Sequence, residues 1–537
     1  MSGAPAQRWL LTAVAVMVAT AGFRFLTLTG FPNDHFTTLT PAWQMAATGD
    51  LPIADFQDQG HPLMVALSAL MQALLGPTLL SEAILVVVAF GIAAVLTLFL
   101  VRDLTGSLLL AVSAVAFEIA IYPRTYSYPK ILIYAAAFLV FQRYVARPTN
   151  RRLAVMAVMI AVAFLFRHDH GLLLGFGGAL TVALATPSAA PFARLRRVGI
   201  LTLSVAVLLL PFLIYVQMSE GLWLYLRTGI EFSRREATHS TPAWPRFAAE
   251  SRPYGVLISI YHALPWIAVA AAFALRKRDH REPILARIVP IAAVAVLVNL
   301  TFLRDPPVTR VPDPIVPAVV LGAWLMQQVQ VSAHRRLLMP IALAVVVAAA
   351  WATVLAGDTL EQIDRMSLTS LGSVTERVAE RTGELRARFG AHQIPTHTVA
   401  AMAPFFGYLD RCTLETDRLL IAGFLPEVPY FARRAFAGGQ YVFMFGYFAS
   451  GDNQRQVVER LRRQHVPFIL IPSNYAKDFD QDFPLVHAYV VPHYELLTTV
   501  DVDEDLTVSV LVDHTRPQGA RDRETGWPCF REDVTPR

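Results

Sequence analysis

Charge is scarce in this chain. Of its 537 residues, 16% are Asp, Glu, Lys or Arg, 55% are hydrophobic, and the mean hydropathy is +0.45. A soluble protein of this length needs far more charge to cover its surface, so the composition excludes the ordinary soluble class and points to the membrane. Lysine is almost missing: Lys130, Lys277 and Lys477 stand among 46 basic residues. Such a bias reads as the codon usage of a GC-rich bacterial genome. Cysteine is limited to Cys412 and Cys529, which leaves either one disulfide or two buried thiols. There is no Gly-rich P-loop and no G-x-G-x-x-G after a strand, which argues against a soluble sugar nucleotide as substrate. No low-complexity tract and no strong internal repeat interrupts the chain.

What is present is a series of apolar runs. A bilayer core requires about 20 such residues per helical crossing, and backbone groups in lipid must be satisfied within the segment. Spans are expected near Trp9–Leu28, Leu79–Val101, Leu108–Ile121, Ile131–Val145, Leu153–Phe166, Leu172–Ala185, Val198–Met218, Tyr254–Leu275, Ile288–Leu303, Ile315–Val329 and Leu337–Leu355. Leu63–Leu75 is shorter and reads as a re-entrant or interfacial helix. Ala19-Thr20-Ala21 has the shape of a signal-peptide cleavage site, but the apolar run continues to Leu28, so the segment reads as the first span.

The formal charge of +5 and pI near 9.2 would suit a nucleic-acid binder. Their placement argues otherwise. Arginines cluster in alternate short connectors, as at Arg143, Arg147, Arg151 and Arg152, or Arg194, Arg196 and Arg197. By the positive-inside rule these connectors and the N-terminus are cytoplasmic, in a bacterial inner membrane. The longer loop Ser219–Pro253 also carries arginines, among them Arg227, Arg234 and Arg235, and reads as an interfacial segment.

The opposite loops differ in kind. Gly30–Leu63 carries four aspartates and two histidines but no Lys or Arg. "YPRTYSYPK" (Tyr122–Lys130) and "FRHDHG" (Phe166–Gly171) lie on the same predicted face, as does the Pro-rich "LRDPPVTRVPDPIVP" (Leu303–Pro317). Ionisable groups that gather on one face of a membrane protein mark a site more often than a solvated edge. From about Gly357 the composition changes. "RLLIAGFL", "YVFMFGYF", "PFILIP" and "LTVSVLVD" read as strands, and "DNQRQVVERLRRQHV" reads as a helix. The expected fold is therefore a polytopic α-helical membrane protein of about eleven spans over residues 1–356. A soluble, extracytoplasmic α/β domain is expected over 357–537.

At these loops the sequence resembles the GT-C glycosyltransferases, polytopic enzymes that use sugars linked to polyprenyl phosphate. The resemblance rests on Asp34 shortly after the first span, on Gly49, Pro52, Asp55, Phe56, Gly60, Pro62 and Leu63 closing the first outer loop, and on Arg167, Asp169 and Gly171 after a later span. It implies that Asp34 is the base that activates the acceptor hydroxyl, with inversion at the sugar. Many relatives have two adjacent acids where this chain has Asn33-Asp34-His35.

The chemistry fits on its own terms. A polyprenyl-phosphate donor carries an activated leaving group and asks for a base and for cations, and arginine grips phosphate with a planar fork. Substrate binding is accordingly assigned to His35, Asp55, Asp58, His61, Arg124, Lys130, Arg167, His168, Asp169 and Arg310, with Arg304 as a further cation. No ligand spacing such as H-E-x-x-H occurs, and "HDH" splits His168 and His170 between helix faces. Whether a divalent cation (Mg, Mn or Ca) bridges phosphate and Asp34 stays open. The acceptor is a glycan, a lipid or a protein, and an arabinofuranosyl, mannosyl or glucosyl donor each fits. A transporter or lipid flippase is the competing reading and requires polar groups at mid-membrane. Arg24 and Glu118 are the main ionisable residues inside the runs.

Overall fold

A computed structural model describes residues 3–186, 191–238, 252–276, 283–303, 307–368, 370–389 and 396–531. Arg304 and Asp305 lie outside the described residues, as does 239–251 of the long loop. The N-terminal two thirds is helical. In order it runs α1 (Gly3–Thr27), α2 (Asn33–Thr48), α3 (Pro62–Leu75), α4 (Leu79–Thr105), α5 (Leu108–Ala120), α6 (Tyr128–Ala146) and α7 (Asn150–Phe166). It continues through α8 (His168–Ala185), α9 (Pro191–Ser219), α10 (Leu222–Thr238), α11 (Arg252–Arg276), α12 (Ile284–Asn299), α13 (Ile315–Val331) and α14 (Arg335–Ala356). Each of the eleven expected spans is one of these helices. By length and composition, seven described stretches suffice to cross a membrane: those built on α1, α4, α6, α9, α11, α12 and α14. The 13 residues of α5 extend about 20 Å against a hydrocarbon core of about 30 Å.

The chain packs as two compact units that are not contiguous in sequence. The first comprises 1–27, 84–212 and 240–378; the second comprises 28–83, 213–239 and 379–537. The linear division expected at 356/357 is therefore not the one that packing draws, because the first outer loop and α10 pack with the C-terminal residues.

In the first unit α6, α7, α8 and α12 pack around Tyr134, Phe138, Phe141 and Ile160, all buried. Two glycines of α8 permit the approach. A methyl at Gly177 would lie 2.7 Å from Val294 of α12, and one at Gly178 would lie 2.8 Å from Ile160 of α7. Small residues serve this purpose between apolar helices, where dispersion must do what the hydrophobic effect cannot.

In the second unit the C-terminal residues form helices α15 (Thr359–Met366, which packs in the first unit with α1 and α14), α16 (Leu371–Arg386), α17 (Thr396–Cys412), α18 (Glu427–Ala432), α19 (Gly451–Arg463), α20 (Ala476–Asp482) and α21 (Pro484–Val490). The strands are β1 (Arg418–Ile421), β2 (Ala435–Phe436), β3 (Phe468–Pro472), β4 (Tyr494–Asp501) and β5 (Thr507–Asp513), in the order β2-β1-β3-β5-β4. β1 runs parallel to β2 and β3, whereas β5 is antiparallel to β3 and β4. Cys412 and Cys529 are joined in a disulfide.

"YVFMFGYF", expected as a strand, is an irregular loop. Phe445, Gly446 and Phe448 have φ of 51°, 67° and 54°, a left-handed backbone that a strand cannot contain. Tyr441, Phe445, Tyr447 and Phe448 pack instead into a cluster with Ala42, Phe56, Val65 and Phe436.

Candidate active site

The second unit carries Asp34. It sits exposed in the first turn of α2, while the opposite face of that helix is buried through Phe36, Leu39 and Thr40. Thr40 Oγ1 donates to the Pro426 carbonyl at 2.5 Å, and Phe36 meets Tyr430 and Phe431 of α18, each at 5.6 Å. The loop that follows is pinned residue by residue. Gln44 contacts Asp50 and the Phe436 amide, Arg418 donates to Asp50 at 2.8 Å, the Gln57 amide donates to the Gly439 carbonyl, and Arg460 donates to the Ala54 carbonyl. The base candidate thus stands on a platform made jointly by the first loop and the C-terminal fold.

Three residues assigned to substrate binding have other work here. His35 is turned wholly inward, with Nε2 2.7 Å from Glu82 Oε1, because consecutive side chains on a helix point about 100° apart. Asp55 accepts from the Leu51 amide at 2.8 Å. Asp58 accepts from the His61 amide at 3.2 Å and from the Tyr225 hydroxyl of α10 at 2.6 Å. These carboxylates close turns and tie α10 to the loop. His61 is buried at the start of α3.

The first unit gathers residues from three distant segments. Lys130, in the first turn of α6, donates to Asp313 at 2.6 Å, with both side chains about 4% exposed. Ser127 donates to the same carboxylate at 3.4 Å. Burial alone would raise the Asp313 carboxyl, but the Lys130 ammonium, helped by the charges of His170 and Arg310, holds it below the usual carboxylate range. Beside them Tyr134 and the His170 imidazole are hydrogen-bonded. Arg167, between α7 and α8, makes a two-pronged contact to Asp169 at 3.2 and 2.9 Å. Arg167 and Asp169 are 34% and 60% exposed, so this fork is the part of the cluster that solvent reaches.

Lys130 is therefore spent on Asp313. His168 stacks on Phe164 at 4.1 Å and engages its carbonyl, whereas His170 faces Tyr134, so the two histidines do diverge. Arg124 is exposed, donates to the Tyr126 hydroxyl, and borders a cleft of about 220 Å³ with Tyr122, Tyr254, Thr309, Asp358 and Gln362. Arg24 is buried between the rings of Phe90 and Tyr122, at 4.2 and 4.1 Å, and donates to the Pro123 carbonyl, so ring faces and a backbone oxygen surround its guanidinium. Among the described residues no three His, Cys, Asp or Glu side chains come together as a metal-ligand set.

Sequence reasoning passed over Glu82, Tyr134 and Tyr225 as site residues. Glu82 alone was signalled, as a carboxylate four residues into a 27-residue apolar helix. The two tyrosines carry no local sign of their partners.

No protein-family model matches the chain, and no curated protein matches it. Solved structures do. The structure of ArnT from Cupriavidus metallidurans bound to undecaprenyl phosphate aligns over 94% of this chain and 98% of that one, at 13% identity and a TM-score of 0.55. Its apo state aligns over the same shares at 13% identity and a TM-score of 0.47. The likeness is one of fold: the chain shares the architecture of ArnT over nearly its whole length.

Proposed function

We propose that this protein is a membrane glycosyltransferase that moves a sugar from a polyprenyl-phosphate donor to an acceptor hydroxyl. The acceptor is a cell-envelope glycan, lipid or protein, and the reaction takes place on the extracytoplasmic face with inversion. Asp34 is the base. It is an exposed carboxylate in the first turn of a helix whose opposite face is packed through Phe36, Leu39 and Thr40, and a carboxylate so placed suits proton transfer from a substrate hydroxyl. Arg167 and Arg124, the cations that solvent reaches, receive the departing phosphate, for which a guanidinium fork is suited. Lys130, Asp313, Tyr134 and His170 form the buried part of the same cluster and hold it in register.

The observation that carries this reading is the meeting of three separate segments in one polar cluster: Lys130 donates to buried Asp313, and Arg167 forks onto Asp169 next to the Tyr134–His170 pair. Support also comes from the shared fold and from the neighbour's bound undecaprenyl phosphate. The Cys412–Cys529 disulfide favours an oxidising compartment for the C-terminal residues.

The test is transfer by purified protein in detergent or liposomes across a panel of polyprenyl-phosphate sugars. Asp34→Asn is expected to lower kcat by about 10²–10⁴, the usual worth of a positioned base. Full transfer by Asp34→Asn removes the base from this residue. Solute or lipid movement by wild type without any transfer of sugar makes the protein a transporter.

A further inference from the structure

The turn that presents Asp34 lacks a side-chain bond from its N-cap residue. Its N-cap is Pro32, which offers no side-chain oxygen, and no side-chain cap bond closes the first turn of α2. A side-chain cap is the usual lock for such an end; here the Pro32 carbonyl accepts from the His35 amide at 2.9 Å. The nearest side-chain help is local: Asn33 Oδ1 accepts from the Asp34 amide at 3.1 Å, and Thr37 donates to the Asp34 carbonyl at 2.7 Å.

One residue further on, the chain is anchored deep inside. His35 Nε2 lies 2.7 Å from Glu82 Oε1, both side chains are fully buried, and the ring of Phe31 closes against the imidazole at 4.6 Å. The second oxygen of Glu82 accepts from Ser68 of α3 at 2.5 Å, and Ser68 in turn receives the Gln72 amide at 3.4 Å. Three helices thus meet through one carboxylate: the first turn of α2, the middle of α3 and the first turn of α4.

A buried ionisable pair is a poor way to gain stability, since desolvation offsets the attraction and apolar residues of similar volume often serve as well. What it supplies is direction. With successive side chains about 100° apart, holding the imidazole inward sets the angle at which the preceding carboxylate leaves the helix.

We infer that the His35–Glu82–Ser68 chain is a positioning device for Asp34, replacing the missing cap and aiming the base. His35, Glu82 and Ser68 touch no substrate. They act through Asp34, and the inference rests on the glycosyl-transfer reading above. Placement matters at this scale, because a shift of about 1 Å at a reacting group can cost about 100-fold in rate.

The decisive variants are His35→Asn, whose amide stops a bond short of Glu82, and His35→Gln, whose amide nitrogen reaches about as far as Nε2. His35→Asn is expected to lower kcat by about 10- to 100-fold, with KM within about twofold, and His35→Gln restores most of that loss. In an Asp34→Asn background His35→Asn costs little more, since the residue it aims is already disabled. Wild-type kcat in His35→Asn, or a loss that persists undiminished beside Asp34→Asn, overturns the inference. Glu82→Gln keeps the acid's shape, removes the buried charge and serves if His35→Asn does not fold; its kcat must fall with the same non-additivity. Hydrogen exchange at the amides of residues 35–38 separates this inference from the reading beneath it. Exchange there accelerates in His35→Asn and not in His35→Gln, even if wild type transfers no sugar from any donor tried. Unchanged exchange refutes the anchor, whatever the chemistry.

Discussion

The two units solve the same problem, holding polar groups in fixed places, by opposite means. The first relies on a few ionic contacts at depth. The Lys130–Asp313 pair is buried among apolar helices and is fed from one side by Ser127. The second, beside its buried His35–Glu82 pair, relies on many modest ties: the side chains of Thr40 to Pro426, Gln44 to Phe436 and Arg460 to Ala54, and the backbone of Gln57 to Gly439. The kind of bond explains the contrast. Where the surroundings are apolar, an ion pair is left with no competitor and becomes indispensable once present. A typical hydrogen bond is worth about 1 kcal/mol, and security comes from the number of them.

That contrast is most severely tested in the first unit. Lys130→Met strands the Asp313 carboxylate, and breaking a buried pair from one side costs about 3–5 kcal/mol. Thermal denaturation in detergent should show a large loss, and Lys130→Met combined with Asp313→Leu should recover much of it. Failure of that recovery means that Asp313 serves Ser127 and Arg310 as much as Lys130.

A smaller effect is expected from the single covalent tie of the second unit. Cys412→Ala with Cys529→Ala, which opens a link across 117 residues, should lower stability by about 2–4 kcal/mol. The same shift should follow reduction of the wild type.

Next comes a pH effect confined to the second unit. Glu427 is buried, and among the described residues neither carboxyl oxygen has a hydrogen-bond partner, so burial raises its carboxyl to about 8. The folded state then holds a proton that the unfolded chain releases near 4.5. Stability contributed by this group is complete below that value and declines as pH rises toward 8, because unfolding is accompanied by proton release. Melting temperatures from pH 6 to pH 9 should therefore fall more steeply in wild type than in Glu427→Gln. Parallel curves would dismiss Glu427 as the cause.

The smallest effect belongs to a single polar tie. Arg418→Gln loses the half-buried contact to Asp50 and should cost about 1 kcal/mol or less, visible as a slight drop in melting temperature. A collapse on this change would mean that the second unit, like the first, hangs on one pair.

Much of the fold was legible before any coordinates. Apolar length announces a helix wherever it occurs, and all eleven expected spans are helical. "RLLIAGFL", "PFILIP" and "LTVSVLVD" each contain a strand. The miss at "YVFMFGYF" arose because aromatic, β-prone residues also suit a looped hydrophobic cluster, and positive φ at Phe445 and Phe448 leaves no mark on composition. The edge strand Tyr494–Asp501 was passed over because its exposed face carries polar residues. In the candidate site, Asp34, Arg167 and Asp169 could be singled out by position at helix ends. The inward turn of His35 could not, since its reason is Glu82, 47 residues away.

Sequence by itself determined that the chain is a many-helix membrane protein with a C-terminal α/β part and acids and arginines at the ends of its spans. These follow from local quantities, the apolar length of a segment and the charge beside it. Tertiary structure alone decided that the first loop folds with the last 150 or so residues, that Lys130 answers to Asp313 183 residues away, and that His35 looks inward so that Asp34 looks out. Those outcomes depend on which distant groups meet, and no stretch of sequence contains both partners.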